Sequence, residues 1–428
     1  MPVVDRWYRR DKKTGKKIRT ERYGVGLRWR VQWETEDGRR PSKSFATKDE
    51  AEKNYAAIKA DLYRGAYIDP ELGKITLKEY AEQWLAARDH AALSAEGTRN
   101  RLEKHVYPHL GHIPLRKIRP TTIQTWVKGL AATRSEHDRS KAGEVPRMLG
   151  GTTRERIFAN VASILQAAVD DGILARNPAK AGSVVKPRKD TKPAIPWARS
   201  RIIAVEKNLP ERWKPIISLG TGEGLRRGEM FGLDPEADID WLAREITVRR
   251  QVIVLGGNKL VFALPKYEKT RTVPLSPYVA AQLAAYMQKF PPREVTLPWM
   301  DLDGPPVTAK LLFTSREGKA ANGNYVGQRI WRPACRAAGF EPTNRDGFHV
   351  LRHTYASVLL DAGESIITVA EHLGHADSSF TLKTYGHLMP ESADRSRAAI
   401  DAFMRGDKDD EESDAGDDAA GAEGSSAG

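Results

Sequence analysis

Four side chains near the C-terminal end of the sequence could act together on one anionic group: His349, Arg352, His375 and Tyr385. His349 and Arg352 are three residues apart, so a helix would place them on the same face. A guanidinium, two imidazoles and a phenol in a chain this basic are suited to binding a phosphodiester and attacking it. The segment 349–387 is therefore a candidate catalytic site.

The same segment predicts three short helices. Gly363 would stop the first helix, and Ser365 would cap the second. The second helix would end at Gly374, which leaves His375 just beyond a C-cap glycine, and the third, roughly 378–387, would carry the tyrosine. The predicted buried side of the first helix consists of Leu351, Tyr355, Val358 and Leu359.

The sequence is strongly basic, with a formal net charge of +13 and a pI near 9.6. The tail 407–428 holds nine acidic residues and one lysine, so the remaining chain carries +21. Charge this large and clustered favours a polyanionic partner, most often nucleic acid, with solubility alone as the alternative. By composition, the tail is predicted to be disordered.

A single cysteine, Cys335, excludes a disulfide framework and a cysteine-rich zinc site. It fits a reducing compartment, and its helical context favours the role of a small buried hydrophobe. No apolar run reaches the length of a membrane span, and the N-terminus is too charged for a signal peptide. We therefore expect a cytoplasmic protein.

Residues 1–65 predict a small basic module in which β-strands are followed by one helix. The runs 28–33 and 40–45 are typical of half-buried strands, and Thr47 with Glu50 would open the helix. A basic sheet of this kind can lie in a DNA groove, whereas an RNA- or protein-binding module is the alternative. The candidate DNA contacts in this module are Arg28, Arg30 and Lys43.

Residues 75–185 predict an all-α domain of four helices, the first opened by a capping box of Thr76 and Glu79. Its outer faces are basic and it carries no residue suited to catalysis, so we interpret it as a DNA clamp, with a plain scaffold as the alternative. The basic, proline-rich segment 186–196 would be a linker that touches phosphate. The candidate DNA contacts are Arg99, Arg101, Lys104 and Arg154 in the helical domain, and Lys186, Arg188 and Lys189 in the linker.

Residues 197–406 predict a mixed α+β, mainly helical domain. Three runs would form a three-stranded antiparallel sheet: 246–255, 259–264 and 271–275. Lys266 would lie near the tip of a hairpin, where an ordinary surface lysine is the alternative. Arg226 and Glu229 could pair so that the carboxylate orients the guanidinium, although an unassisted surface ion pair has the same spacing.

Five motifs follow one another along this domain: Gly-Leu-Arg226-Arg-Gly-Glu229, Lys266 before Arg-Thr-Val-Pro-Leu, His349-Val-Leu-Arg352-His, Leu-Gly-His375 and Thr-Tyr385-Gly-His. Their order and spacing resemble the tyrosine recombinase (phage integrase) family. The helical domain together with the mixed domain resembles the family's two-domain DNA clamp over residues 75–405. The module 1–65 resembles the arm-binding domain that integrases carry.

The resemblance implies how phosphate chemistry would be divided among these residues. Tyr385 would attack a DNA phosphodiester to give a 3′-phosphotyrosine and a free 5′-hydroxyl, and the retained bond energy would make ATP unnecessary. Arg226 and Arg352 would hold the non-bridging oxygens, with Glu229 orienting Arg226. Fixed cations would replace metal ions, so neither a metal nor another cofactor is expected.

The resemblance also implies proton-transfer roles. Lys266 would protonate the leaving 5′-oxygen, with Lys269 as the alternative. His349 would assist proton transfer to and from the tyrosine, and His375 would hydrogen-bond the phosphate. Glu223 stands where the family more often has threonine, and it would be unfavourable near a phosphate unless it points away. The other nearby histidines are predicted to be packing or surface residues, and two alternative phenols to be core residues: His353, His372, His387, Tyr355 and Tyr325.

By resemblance, the chain would insert or excise a phage or other mobile element as a homotetramer on double-stranded attachment sites. DNA-bending and excision-directing proteins are further possible partners, and the segment 392–405 would reach a neighbouring subunit. The rivals are a dimer-resolving recombinase, a topoisomerase-like nicking-closing enzyme, and a DNA-binding regulator with a degenerate catalytic domain. The module 1–65 argues against the first, and the complete set of basic residues with Tyr385 argues against the last.

Overall fold

The computed structural model describes residues 3–11, 13, 15–35, 38–64, 67, 69, 71–88, 92–134, 148–190, 195–375, 377–386 and 393–405. The chain divides into two compact units, Met1–Thr191 and Lys192–Gly428. The boundary falls inside the segment 186–196. The acidic tail 407–428 and His387 lie outside the described residues.

The first unit begins with short antiparallel strands and one helix: β1 (Val3–Asp5), β2 (Tyr8–Arg10), β3 (Lys17–Arg19), β4 (Trp29–Gln32), β5 (Ser42–Phe45) and α1 (Lys48–Tyr63). β4 lies between β1 and β5, with Val31 opposite Val3, and β2 pairs with β3. Thr47 caps α1 by accepting a hydrogen bond from the backbone N–H of Glu50 (3.3 Å). β4 and β5 fall in the two predicted runs, whereas β1 to β3 lie in a stretch whose many basic residues hide the alternation of a strand.

The described part of the first unit continues with α2 (Leu77–Ala86), α3 (Ala92–His105), α4 (Pro120–Ala131) and α5 (Gly151–Asp170). Thr76 and Glu79 form the full capping box of α2, with backbone-to-side-chain distances of 3.3 and 2.9 Å. The helices share one apolar core, whose fully buried members include Leu77, Leu102, Ile123 and Val161. Each such side chain stabilises the fold by about 1.5–3 kcal/mol, so the shared core holds these helices together.

The second unit contains the remaining elements: α6 (Arg199–Asn208), α7 (Pro215–Thr221), α8 (Arg227–Phe231), β6 (Ile239–Asp240), β7 (Glu245–Val248), β8 (Gln251–Leu255), β9 (Lys259–Ala263), β10 (Arg271–Pro274), α9 (Pro277–Lys289), β11 (Arg293–Pro298), β12 (Pro306–Leu311), α10 (Gly323–Val326), α11 (Arg332–Ala337), α12 (His349–Asp361), α13 (Ile366–Leu373), α14 (Ser378–Tyr385) and α15 (Ala393–Arg405). A π-helical turn, Gly327–Trp331, joins α10 to α11. Among the described residues, no helix is both long and apolar enough to span a membrane.

The pairing predicted for the three-stranded sheet is wrong. β6 and β10 both pair with β7, whereas β8 and β9 form a separate hairpin. The predicted run 246–255 is therefore two strands, and between them Arg250 turns back onto buried Asp238 (Nη1–Oδ2 3.2 Å). Alternation reveals extended segments but not their partners. Consequently Lys266 lies in a connection between two sheets and not at a hairpin tip.

The core of the second unit fixes α7 against α12. A Cβ on Gly220 of α7 would lie 2.7 Å from the Cβ of Leu351, so only glycine permits this approach. The loop that follows α7, residues 222–226, is thereby held beside the first turns of α12. This loop carries Arg226.

The buried face of α12 differs from the predicted one. Leu351 and Tyr355 are buried, but Val358 is 59% exposed and Leu360 is buried in its place. The reason is that α12 is covered on two sides, because Leu351 packs in the main core while Tyr355 and Leu360 pack in a smaller cluster with α13 and α14. A single helical stripe does not describe such a helix.

Candidate active site

Local signals set the directions of α13 and α14. Ser365 caps α13 by accepting from a backbone N–H three residues later (3.0 Å), and Asp377 caps α14 by accepting from a backbone N–H two residues later (2.8 Å). α13 ends at Gly374, whose φ of 57° lies in the left-handed region. A Cβ at Gly374 would also lie 2.8 Å from Cδ of Arg271. The predicted helix stop is thus also a close packing point.

Arg226 caps the N-terminus of α8 beside Glu229, which is completely inaccessible to solvent. It donates from its backbone N to Glu229 Oε2 and from Nη1 to Oε1, both at 2.8 Å. Arg271 approaches the same carboxylate with a parallel fork, from Nη1 to Oε1 (3.0 Å) and from Nη2 to Oε2 (2.7 Å). Burial alone would raise the pKa of Glu229, but Arg271 and then the charges of Arg226 and Arg352 lower it to about 2. Glu229 is therefore ionised and receives two cations.

Arg352 is also completely buried. Its Nη1 donates to the carbonyl of Gly224 (2.7 Å), and its Nη2 donates to the carbonyl of Leu373. Burial and then the charge of Arg226 lower its pKa to about 9, which leaves it mostly protonated at neutral pH. Its Nε has no hydrogen-bond partner among the described residues. A buried cation with an unused donor is suited to receiving an anion.

Three successive carbonyl oxygens at the end of α13, those of residues 372–374, each accept from a different arginine. In chain order the donors are Arg271 Nε (2.7 Å), Arg352 Nη2 and Arg226 Nη2 (3.2 Å). The C-terminal end of a helix is the negative end of its dipole and favours cations. Glu229 offsets one of the three charges, so a net positive charge remains to attract a phosphate.

His375 follows this turn directly. Its Nδ1 lies 2.7 Å from Thr381 Oγ1, and its Nε2 lies 3.3 Å from Nη2 of Arg352, which can only donate. Nε2 therefore accepts and Nδ1 carries the proton in this arrangement. Burial, and then the charges of Arg352 and Arg226, lower the pKa of His375 to about 3, so the ring is neutral at physiological pH.

His349 opens α12 at the edge of the site, with its ring centroid 4.5 Å from that of His353. The surrounding protein desolvates part of the ring and thereby lowers the pKa of His349, and the charges of His353, Arg352, Arg226 and Lys266 add to the effect. Solvent reaches the residue from its other side and moderates this decrease.

Lys266 lies in the connection between β9 and β10, and its side chain is exposed. Its charge contributes to lowering the pKa of His349. Lys269, three residues later, is also exposed. Both lysines are therefore open to solvent, and the electrostatic link to His349 is that of Lys266.

Tyr385 is only 1% exposed, and its Oη lies 2.7 Å from Nδ1 of His353. Burial raises the pKa of Tyr385 to about 12, although the charges of Arg352 and Arg226 act in the opposite direction. Burial and the charge of Arg352 also lower the pKa of His353 to about 4, so this hydrogen bond joins two neutral groups. His353, predicted to be a packing or surface residue, thus packs against the predicted nucleophile and hydrogen-bonds its hydroxyl. The resemblance assigned proton transfer with this tyrosine to His349.

Two further tyrosines behave differently from one another. Tyr355 is buried as predicted, and its Oη lies 3.0 Å from Nδ1 of His372. Tyr325 is 61% exposed, so the prediction that it is a core residue is wrong. Tyr325 lies in α10, a short helix whose other side supplies the buried Val326.

Glu223 is completely buried and points away from solvent. Its Oε1 accepts from the backbone N–H of Ser276 (3.2 Å), and its Oε2 has no partner among the described residues. Burial raises the pKa of Glu223 to about 8, with a smaller opposing effect of the Ser276 hydrogen bond. The acid is therefore mostly neutral at pH 7, which removes the predicted repulsion of a phosphate.

Sequence reasoning missed two residues of this site. Arg271 belongs to the Arg-Thr-Val-Pro-Leu motif, yet its partners Glu229 and His372 are 42 and 101 residues away in the chain. His353 adjoins Arg352, but its partner Tyr385 is 32 residues away. Their motif positions could have drawn attention to them, whereas the contacts could not be read from the sequence.

The predicted DNA-contacting residues lie in the first unit, in two kinds of surroundings. Arg28 is half-buried, and its guanidinium is paired with Asp5 (2.9 Å) and stacked near the ring of Trp29, so it also stabilises the sheet. Arg101 is half-buried and donates to Thr98 (3.0 Å). The other half-buried residues are Arg30 and Arg154, and the exposed ones are Lys43, Arg99, Lys104, Lys186, Arg188 and Lys189.

Comparison with known proteins identifies the family of this chain. The model described as "Phage integrase family" matches residues 199–392, and "Phage integrase, N-terminal SAM-like domain" matches residues 76–131. The tyrosine recombinase XerC of Mycobacterium bovis (strain BCG / Pasteur 1173P2) is 30% identical over 252 residues, which cover 55% of this chain and 72% of that protein. The chain belongs to the tyrosine recombinase, or phage integrase, family.

Other tyrosine recombinases extend the comparison. A XerC-like tyrosine recombinase of Caldanaerobacter subterraneus subsp. tengcongensis is 30% identical over 238 residues, covering 52% of this chain and 59% of that protein. The chain thus spans about three fifths of the length of that relative. A lambda integrase tetramer bound to a Holliday junction matches in structure with a TM-score of 0.53 at 14% identity, covering 92% of this chain and 95% of the lambda chain. This likeness confirms the multidomain recombinase fold, with its many helices and small antiparallel sheets.

Proposed function

We propose that this protein is a site-specific DNA recombinase of integrase type, which cuts and rejoins DNA through a 3′-phosphotyrosine intermediate. The observation that carries the proposal is the turn 372–374, whose carbonyls gather Arg226, Arg271 and Arg352 one helix before Tyr385. The charges of Arg226 and Arg352 act on the phenol, which supports a single site for the cations and the nucleophile.

In the proposed step, Oη of Tyr385 forms a bond to a DNA phosphorus and the bond from phosphorus to the 5′-oxygen breaks. Arg226 and Arg352 bind the non-bridging oxygens, where charge-assisted hydrogen bonds contribute about 1.5–3 kcal/mol each. His375 hydrogen-bonds the same phosphate through Nε2, which requires Nε2 to carry a proton when DNA is bound in place of accepting from Arg352. Lys266 gives a proton to the leaving 5′-oxygen, with Lys269 as the alternative donor.

The proton of Tyr385 leaves toward His349 in this proposal, while His353 holds the phenol in its buried position. His353 already contacts Oη, and His349 lies next to it at the solvent side of the site. Complete transfer to His353 in its present surroundings is unfavourable, because the two pKa values, about 12 and about 4, are far apart. A bound phosphate carries negative charge and favours a protonated histidine. Because Tyr385 is buried and its pKa is raised, DNA binding also has to draw it from this position before attack.

Fixed cations perform the role that metal ions play in many phosphoryl-transfer enzymes, so we expect no metal, ATP or other cofactor. Cleavage should proceed in EDTA at its full rate. Loss of cleavage in EDTA, with recovery on addition of Mg²⁺, would refute this part of the proposal.

The first unit supplies DNA binding. The helical segment 75–185 is proposed to be the core-binding domain, the linker 186–196 to follow the phosphate backbone, and the module 1–65 to bind separate arm sites. The candidate contacts are the ten basic residues placed above. A protein lacking 1–65 that recombines at full efficiency would favour a dimer-resolving recombinase instead.

We further propose that a homotetramer acts on two double-stranded attachment sites, to integrate or excise a phage or other mobile element. The lambda integrase tetramer on a Holliday junction, which shares the fold, supports this assembly. α15 is a candidate for reaching a neighbouring subunit, since Ile400 and Phe403 are 63% and 74% exposed. Truncation at residue 391 without loss of synapsis would count against that role. Cytoplasmic DNA is the expected place of action, with DNA-bending and excision-directing proteins as possible partners.

A nicked suicide DNA substrate tests the proposal. Once the strand is cut, the short fragment beyond the nick diffuses away and religation is blocked, so wild-type protein should accumulate as a covalent adduct. Tyr385→Phe should bind the same DNA and form no adduct, because only the phenolic oxygen is removed. Binding without any wild-type adduct would instead favour a DNA-binding regulator with a degenerate catalytic domain.

A further inference from the structure

Glu229 is the point at which two arginines meet. Each of its oxygens accepts twice: Oε1 from Nη1 of Arg226 and of Arg271, and Oε2 from the backbone N of Arg226 and from Nη2 of Arg271. The acceptor capacity of the carboxylate is therefore filled within the protein. The side chains of Arg226 and Arg271 are 16% and 7% exposed, so Arg271 is the more deeply buried member.

The two arginines use their donors differently. Arg271 donates from Nη1 and Nη2 to Glu229 and from Nε to the carbonyl of His372. Arg226 gives Glu229 one guanidinium contact, from Nη1, and gives Gly374 another, from Nη2. Two of its five guanidinium N–H groups bond described residues, against three of five in Arg271. All three guanidinium nitrogens of Arg271 donate within the protein. Nε of Arg226 makes no such bond in the described part of the chain, and Arg226 is the more exposed of the two, so it is better placed to serve an anion.

Charge points in the same direction. Arg271 neutralises Glu229 through a bidentate pair, so the charge of Arg226 is not consumed by the carboxylate. Arg271 also holds the turn 372–374 through its first carbonyl, and the next two carbonyls align Arg352 and Arg226. Without Arg271, the nearest cation to the buried carboxylate of Glu229 would be Arg226. Glu229 would then bind further N–H groups of Arg226, which would no longer be available to a phosphate.

Given the DNA cleavage proposed above, on which this role rests, we infer that Arg271 is a positioning residue for phosphate: it holds Glu229 and the turn 372–374 so that Arg226 stays available to the scissile phosphate. Arg271 acts through these groups and does not touch the DNA. Loss of Arg271 harms the site mainly because Glu229 is then free to capture Arg226.

A rescue experiment separates this role from a purely structural one. Adduct formation in a single turnover is compared for wild type, Arg271→Met, Glu229→Gln and the double variant. Arg271→Met should slow the reaction by about 10²-fold, the effect of displacing one phosphate-binding group. Adding Glu229→Gln should recover at least about tenfold of that loss, because a neutral amide no longer captures Arg226. DNA affinity should change little, because other basic residues dominate it.

Arg250 and Asp238 provide a matched control in the same unit. They form a similar two-pronged pair, with both contacts at 3.2 Å, and Asp238 is buried. Arg250→Met should lower the melting temperature without a specific loss of adduct formation among folded molecules, and Asp238→Asn should not rescue it. An Arg271→Met protein that reacts at the wild-type rate, or a double variant slower than Arg271→Met, would overturn the inference.

Protection by inorganic phosphate distinguishes failure of this role from failure of the proposed function. Phosphate binding needs the arginines but no chemistry, so it should raise the melting temperature of the wild type more than that of Arg271→Met, with recovery in the double variant. Equal protection of wild type and Arg271→Met would overturn the inference, whatever the adduct assay shows. Absence of a wild-type adduct despite unequal protection would overturn the proposed function alone.

Discussion

In one half of the candidate site, Arg226, Arg271 and Arg352 are each held by at least two hydrogen bonds to Glu229 or to backbone carbonyls. We call this the arginine half. In the other, the tyrosine half, the hydroxyl of Tyr385 makes one described hydrogen bond, and this bond joins it to a neutral imidazole. Both halves are largely buried, but the first is charged and held by several hydrogen bonds, whereas the second is neutral and held by one described hydrogen bond.

Phosphate binding is therefore prepared in advance in this structure, whereas nucleophilic attack is not. Groups that stabilise transition-state charge work best when they need not reorganise during the reaction. The hydrogen bonds to Glu229 and to backbone carbonyls hold the three arginines in place in this way. A phenol with a pKa of about 12 is a poor nucleophile at neutral pH. Keeping it buried until DNA fills the arginine half would couple cleavage to correct binding.

Arg352→Lys should slow adduct formation by about 10²–10⁴-fold, because a single ammonium cannot replace two or more directed donors worth about 1.5–3 kcal/mol each. Single-turnover cleavage of the suicide substrate measures the rate. DNA affinity and the melting temperature, measured on the same preparation, separate lost chemistry from lost folding. A rate within threefold of wild type would show that the arginine half is not the site of charge stabilisation.

Lys266→Ala should slow adduct formation by about 10²–10⁴-fold, the usual contribution of a general acid, while Lys269→Ala should leave the rate nearly unchanged. A substrate with sulfur in place of the leaving 5′-oxygen needs no protonation, so it should restore cleavage by Lys266→Ala. The reverse pattern, with loss and rescue in Lys269→Ala, would transfer the role to Lys269.

Glu223→Gln should stabilise the protein at alkaline pH. The folded-state pKa of about 8 lies above the usual 4.5, so the contribution of Glu223 is complete below pH 4.5 and is lost as pH rises through 8. Glutamine stays neutral, and at about 1.4 kcal/mol per pKa unit the variant should gain a few kcal/mol over wild type at pH 8. Denaturant unfolding at pH 4.5 and pH 8 measures this, and a gain that is the same at both pH values would contradict it.

His353→Leu should loosen the tyrosine half, since burying an unpaired phenol costs about 1–3 kcal/mol. Tyr385 should then react faster with a tyrosine-modifying reagent such as iodine, while adduct formation should change by less than about tenfold. His353→Gln, which can still hydrogen-bond the phenol, is the matched control. A loss of cleavage as large as that of Arg352→Lys would instead make His353 part of the proton-transfer chemistry.

Local signals in the sequence were sufficient for the parts of the site that depend on neighbours in the chain. The caps Ser365 and Gly374 and the pairing of Arg226 with Glu229 all act over three or four residues, a distance at which residue type and spacing determine the contact. The same reasoning located β4, β5 and the start of α1.

Contacts between distant segments could not be predicted in this way. Arg271 lies in a predicted strand, but nothing in the sequence identifies Glu229 as its partner. Likewise, nothing in the sequence around His353 predicts its contact with Tyr385. The same limit explains the wrong strand pairing and the exposed Val358, because burial depends on which other element covers a surface.

The decisive measurement is the identity of the amino acid that carries DNA. The trapped adduct is digested with nuclease and protease, and the peptide bearing a nucleotide is sequenced by mass spectrometry. A 3′-phosphate should be attached to Tyr385 alone. Attachment to another tyrosine, such as exposed Tyr325 or the buried Tyr355, or a link through a 5′-phosphate, would contradict it.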